Sequence, residues 1–184
     1  MLRTFMLASV AVALASHATS AEEVESPIYR SWAKAKVGTS VTYREIVITK
    51  GVRAESTRRA TLAKLTPEKA VIDEETFETV NGKPKVITSI TLDYRKGLIL
   101  LPGMTKEQVE NPGKGKKAGL ETVKVLGKDY KASWYETEAP TDHGPAVGRT
   151  WVSDEVPGKI LKSSMKVESA DKTVTTELIE IKVP

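Results

Sequence analysis

From Ser40 onward the chain is written in short, alternating, β-branched runs, and turn chemistry cuts every one of them. "SVTYREIVIT" ends at Lys50-Gly51, "ESTRRATLAKL" ends at Thr66-Pro67-Glu68, and "KAVIDEETFETV" meets "PKVITSITLDYR" across Asn81-Gly82. Asn-Gly between two such runs is a strong hairpin signal, although Lys83-Pro84 beside it leaves a longer loop open. The later runs are "ETVKVL", "YKASWYETE", "RTWVSDE", "KILKSSMKVES" and "TVTTELIEIKV". Between them lie Gly127-Lys128-Asp129, the loop "APTDHGPAVG", Val156-Pro157-Gly158 and Ala170-Asp171. Pro157-Gly158 suits the central positions of a type II turn, because proline presets one φ angle and glycine supplies the positive one. Hairpin-length links with no long amphipathic helix predict a mainly β fold: an antiparallel meander of about nine strands that curls into a curved sheet, half-barrel or barrel, or splits into a sandwich. In the fourth run Val86, Thr88, Ile90, Leu92 and Tyr94 share one face, which predicts a dry side opposite Lys85, Ser89, Thr91, Asp93 and Arg95, with Ile87 as the exception.

Two short helices interrupt the strands. "ESPIYRSWAKAKVG" offers Ser26 as N-cap and Pro27 at the first helical position, where its missing N–H costs nothing. Ile28 and Trp32, four apart, are expected to share its buried face, and Gly38 to end it. The stretch from 96 to 120 breaks the strand rhythm with an apolar run, a Thr105-to-Gln108 capping box for one or two helical turns, and then Gly, Lys and Pro. This crossover and the N-terminal helix are expected to pack on the concave side of the sheet.

Ahead of the strands, Arg3, an apolar run from Phe5 to Ala15 and small residues up to Ala21 form the n-region, h-region and cleavage site of a secretory signal peptide. Cleavage after Ala21 or Ser20 is expected, leaving residues 22–184 as a single β-rich domain in the periplasm or outside the cell. No later segment is long and apolar enough for a transmembrane helix. The chain has no cysteine, which excludes disulfides, thiolate metal sites and a Cys nucleophile. Its formal charge of +4 is dispersed along the strands, unlike the one-sided excess of a nucleic-acid binder. The one dense cluster, Lys114, Lys116 and Lys117, reads as a solvated loop.

Catalytic chemistry has little to work with. His17 leaves with the signal, so His143 in "TDHGP" is alone in the mature chain, and no ligand at metal spacing accompanies it. The carboxylate groups Asp73-Glu74-Glu75, Glu136/Glu138 and Asp154-Glu155 lie along strands whose neighbours point to opposite faces, so they read as solvated strand ends. No cofactor is implied and no enzyme is expected. The aromatics are more selective: Trp32, Tyr94, Tyr130, Trp134 and Trp151 are either core residues or the lining of an apolar cavity between sheet and covering segments.

Trp151, Ser153, Pro157, Gly158 and Lys162, in "WVSDEVPGKILK", match a strand pattern that resembles the LolA-like periplasmic lipoprotein carriers and related secreted bacterial proteins. The opening "SPIYRSWAKAKVGTSVTY" resembles their helix-then-strand start. The resemblance implies a curved antiparallel sheet and an exported protein. It departs from the carriers in having one good helix and one short one where they place several, and no ligand residue carries over. The expectation is a non-enzymatic binder or carrier of an apolar molecule such as a lipid or acyl chain. The alternative is an envelope structural or protein-interaction module with a filled core and a partner at a strand edge; an exported hydrolase comes third.

Overall fold

The computed structural model describes residues 23–110 and 117–184. The expected signal segment, and Lys114 and Lys116, lie outside the described residues. Nine strands form one open antiparallel sheet. In chain order they are β2 (Ser40–Thr49), β3 (Val52–Leu65), β4 (Lys69–Val80), β5 (Lys83–Arg95), β7 (Ala118–Val125), β8 (Lys128–Thr141), β9 (Gly144–Val152), β10 (Ile160–Val167) and β11 (Lys172–Lys182). Across the sheet they run β5-β4-β3-β2-β11-β10-β9-β8-β7, so β5 and β7 are the edges and the N- and C-terminal halves join along β2 and β11. A two-stranded ribbon stands apart, β1 (Glu23–Glu25) paired with β6 (Gly97–Ile99). The curved, mainly β sheet expected from the strand runs is thus the architecture observed.

Local turn chemistry explains most of the links. Lys50-Gly51, Asn81-Gly82 and Leu126-Gly127 each hold two successive positive φ angles, the type I′ pattern that matches the right-handed twist of the strands. Asn81-Gly82 is therefore the tight two-residue hairpin and not the longer loop. At Pro157-Gly158 the Lys159 N–H donates to the Val156 carbonyl at 2.9 Å and Gly158 has φ of +75°, a type II turn as expected. One expectation fails: "APTDHGPAVG" is not a loop. Strand β8 continues to Thr141 and β9 begins at Gly144, leaving only Asp142-His143 at the bend. The two prolines mislead because they face each other, Pro140 opposite Pro145. Among the described residues, β7 pairs with β8 no further than Tyr135 and β10 with β9 no further than Ala146, so on those outer sides neither proline removes a ladder bond.

The core lies at one end of the sheet. Val41 opposite Ala60, Tyr43 opposite Leu178, and Leu62 opposite Ile72 are all buried there. Over this patch sits α1 (Pro27–Trp32), capped by Ser26, whose hydroxyl accepts the Tyr29 N–H at 3.3 Å. The helix stops at Trp32; Gly38, at φ +91°, instead turns the chain into β2 and donates its N–H to the Leu62 carbonyl at 2.8 Å. The inward pair is Tyr29 and Trp32, three apart, with Trp32 only 2% exposed, whereas Ile28 is 39% exposed. Beyond the helix the apolar stripe of β5 is uncovered. Leu92 and Tyr94 are half-buried, but Val86 and Ile90 are each 45% exposed, so the expected dry face is dry only beside α1. A six-residue helix is about 9 Å long and can cover no more.

Two tethers hold α1 in place. The Tyr29 hydroxyl donates to the carbonyls of Thr66 (3.0 Å) and Pro67 (3.2 Å) in the β3–β4 turn. The Ser31 hydroxyl accepts the Gly158 N–H at 3.0 Å in the β9–β10 turn. A Cβ on Gly158 would meet the Tyr43 hydroxyl at 3.4 Å and the Trp32 indole at 3.6 Å, ordinary contact distances, so it is the φ of +75° that favours glycine there. The adjacent carboxylates brace the same turn: Asp154 pairs with Lys159 at 2.8 Å, and Glu155 with Lys128 at 3.0 Å.

Replacing Trp32 by Ala should cost about 3–5 kcal/mol, and Ile28→Ala less than about 1 kcal/mol, in urea unfolding followed by circular dichroism. The Lys159 hydrogen bond holds the Asp154 carboxyl below its usual range. A depressed carboxyl stabilises the fold above its unfolded value, near 3.9, and that contribution is lost as pH falls through the lower folded value. Asp154 is well exposed, so Asp154→Asn should destabilise by less than about 1 kcal/mol at neutral pH. The two proteins should unfold alike once the pH lies below that lowered folded value. A deficit that persists in acid would show that the side chain acts by packing.

Candidate functional site

An open cleft of about 1110 Å³ lies between α1, the 97–110 segment and the β7–β10 end of the sheet. The register builds its floor. Leu120 lies opposite Ser133, Ser133 opposite Val152, and Val152 opposite Ile160, which gives one row across four strands. Ala118, Tyr135, Thr150 and Ser163 make the next row on the same face, and of these Ala118 and Tyr135 also line the cleft. Pro27 and Ile28 come from α1, Leu98 from β6, and Val109 from α2 (Lys106–Glu110). The start of α2 has the expected capping box: the Thr105 N–H donates to Gln108 Oε1 at 2.8 Å and the Gln108 N–H to Thr105 Oγ1 at 3.2 Å.

The lining is apolar with a charged border. Leu120 is 84% exposed, and Ile28 and Leu98 are also open to water, so large aliphatic side chains of the described residues converge on one open space. Arg30, Lys131 and Lys159 border it together with Glu107, Glu110, Asp154 and Glu155. Burial pushes the Tyr135 phenol upward, so it stays protonated and able to donate at neutral pH.

The five aromatics singled out from the sequence do not share this space. Trp32 and Tyr130 are buried in the core, and Tyr94 packs against it from β5. Trp134 and Trp151 sit directly opposite each other, on the face of β8 that also carries Tyr130 and away from the Leu120–Ser133–Val152 floor, and Trp151 too packs against the core. There Arg149 lies between them, its guanidinium 3.9 Å from the Trp134 ring and 5.6 Å from the Trp151 ring, and the Lys162 ammonium lies 4.2 Å from Trp151. The Trp151 indole donates to the Glu121 carboxylate, and Arg149 bonds Glu136 at 3.0 Å. This ladder ties β8, β9 and β10 together through cation–π contacts and β7 through the Trp151–Glu121 hydrogen bond. Only Trp134 of the five also borders the cleft, beside Gly119, where a Cβ would come within 2.8 Å of the indole nitrogen. The residues that sequence reasoning passed over are Leu98, Leu120, Val152 and Ile160. They become a set only through strand register, for which a single sequence carries no local mark.

Titratable groups are occupied with structure. The Arg149 hydrogen bond leads the causes that hold the Glu136 carboxyl below its usual range. Arg58 chelates Glu74 with both contacts at 3.1 Å, and Asp73 accepts the Thr91 hydroxyl at 2.7 Å. His143 occupies the exposed β8–β9 bend. Among the described residues no three His, Asp or Glu side chains are grouped to hold a metal ion, and no described helix is long and apolar enough to cross a membrane.

No protein-family model matches the chain, and no curated protein does. Several solved structures are similar to it in fold. A protein of YmcC-like fold from Bacteroides fragilis is 12% identical, with a TM-score of 0.48 over 80% of this chain and 97% of that one. The Mycobacterium tuberculosis lipoprotein LppX is 11% identical, with a TM-score of 0.42 over 86% and 94%. A domain assigned to outer-membrane lipoprotein sorting in Vibrio parahaemolyticus is 9% identical, with a TM-score of 0.27 over 86% and 92%.

Proposed function

We propose that the protein is an exported, non-enzymatic binder of an apolar ligand, a lipid or an acyl chain, held in the cleft between α1, the 97–110 segment and β7–β10. The observation that carries this reading is the convergence of Ile28, Leu98, Val109, Leu120, Val152 and Ile160 on one open space. Its volume is at the upper end of small-molecule sites, which run to about 1,000 Å³. Covering ten methylenes would gain about 8 kcal/mol gross, a micromolar affinity before the cost of association. A long chain therefore suits the site better than a small apolar molecule. The charged border would meet a polar headgroup at the mouth. Export rests on the signal pattern of residues 1–21. The absence of catalysis rests on carboxylates tied to cations in structural pairs.

A second reading, a protein-interaction module, is favoured by one observation: edge strand β5 leaves Val86, Ile87 and Ile90 open beside an unpaired backbone edge.

Native mass spectrometry of protein purified from the envelope without detergent, followed by organic extraction, separates the two. Lipid adducts are expected, and Leu120→Glu should reduce binding of a fluorescent acyl-chain probe by about tenfold or more. Because Leu120 is so exposed, the variant should keep its circular dichroism spectrum. Ile90→Glu on β5 should bind the probe like the unaltered protein. A clean apo mass with no probe binding would exclude the binder, and co-purification of a protein that Ile90→Glu releases would establish the module.

A further inference from the structure

The row of the cleft floor that holds Tyr135, Thr150 and Ser163 continues beyond the cleft. Ser163 lies opposite Thr176, Thr176 opposite Glu45, and Glu45 opposite Ser56, so it runs on across β10, β11, β2 and β3. Thr176 and Glu45 each stand two residues from a core side chain, Leu178 and Tyr43, and so share the face that α1 covers at its end. The rows on either side are apolar: Tyr43, Leu178 and Val152 toward α1, and Val47, Val174 and Met165 away from it. A face turned only to water is polar in every row, not in one row between two apolar ones.

These polar groups are not spent on the fold. Thr176 is 9% exposed and the others are half-buried. Among the described residues, no side chain of this row from Tyr135 to Ser56 has a hydrogen-bond partner. Thr39 Oγ1 and Arg44 Nε are the described side-chain atoms sealed from solvent without a partner, so the unpartnered Thr176 hydroxyl opens onto the row. Holding a hydroxyl so deep without a partner is unfavourable until something bonds to it. Arg44 is paired with Glu177, and Arg58 is chelated by Glu74. Glu45 therefore has no ion-pair partner among the described residues, and an anionic group laid on the row would meet an uncompensated negative charge.

We propose that this row binds an uncharged, hydroxyl-rich group, a saccharide or polyol, as the headgroup of an amphiphile whose chain lies in the cleft. Each Ser, Thr or Tyr hydroxyl can both donate and accept, as sugar hydroxyls do, and the Glu45 carboxylate accepts from more than one of them. Neighbouring strands set successive side chains about 4.8 Å apart, a gap that one sugar ring bridges. Tyr135 lines the cleft and heads the row, so the seats of chain and headgroup are continuous. The inference rests on the cleft reading for the chain and adds the chemistry of the headgroup.

The test is calorimetric titration of the full mature chain with dodecyl maltoside, laurate and dodecyltrimethylammonium, each below its micelle-forming concentration, and with maltose alone. The three amphiphiles share one chain length and differ in the headgroup. The maltoside should bind about tenfold tighter than either charged amphiphile. The variant Thr150→Val/Thr176→Val keeps side-chain shape and strand preference; it should remove that advantage and leave laurate binding as it was. Because the two hydroxyls bond nothing in the protein, the variant should unfold at no lower urea concentration. A loss of stability would mark the hydroxyls as structural and overturn the inference. Equal affinity for the three amphiphiles, a preference for a charged one, or a variant that still prefers the maltoside would also overturn it, with the acyl-chain reading untouched. Maltose binding that depends on Thr150 and Thr176, with no amphiphile bound through its chain, would uphold the row and overturn the cleft reading. Absence of binding by all four would overturn both.

Discussion

Tyr29 and Trp32 enter the sheet from a helix too short to hold itself in water, and among the described residues the sheet has no second sheet layer to bury its own apolar end. Each supplies what the other lacks. A helix of two turns is stable only when docked. An open sheet needs something on its face before its aliphatic side chains leave water. The contact is made directional by two hydrogen bonds, from Tyr29 to the β3–β4 turn and from Gly158 to Ser31, so α1 spans both halves of the meander. Val41, Tyr43, Leu62, Ile72, Leu161 and Leu178 are buried at this end and nowhere further along the same strands.

The same economy leaves open surfaces. A helix this short ends before the sheet does, and two consequences follow: a cleft beside it and an apolar stripe bare on β5. The cation–π ladder of Trp134, Arg149, Trp151 and Lys162 has the complementary role on the opposite face, holding β8–β10 together where no helix lies over them. The cleft therefore has a floor of hydrogen-bonded strands braced from the opposite face.

Much of this was legible in the residues because hairpin chemistry is local. Asn81-Gly82 and Pro157-Gly158 name their turns with two residues each, and the Ser26-Pro27 and Thr105–Gln108 caps name two helix starts. The carboxylates Asp154 and Glu155, expected at solvated strand ends, lie just past the end of β9 in the turn that follows, each paired with a lysine. The errors came where a neighbour decided the outcome. Pro140 and Pro145 looked like loop residues, yet they sit beyond the last pairings of the flanking strands, where a missing N–H removes nothing. Ile28 had the right spacing to share a buried face with Trp32, but the tethers of Tyr29 and Ser31 rotate the helix so that Ile28 looks toward the cleft. The β5 stripe had the pattern of a dry face and only its last residues found cover.

Strand number, antiparallel order and the position of the turns were set by the sequence itself, because φ preferences and period-two alternation act between residues that are near in the chain. What only the tertiary structure decided is which rows of side chains meet. Leu120, Val152 and Ile160 come together by the lateral register of β7 to β10, and Leu98 reaches them through a ribbon made with residues far upstream. Register is a property of pairs of strands, and a one-residue slip would turn each of these side chains to the other face. Trp134 and Trp151, the most conspicuous residues in the chain, were placed by that register on the face opposite the cleft floor.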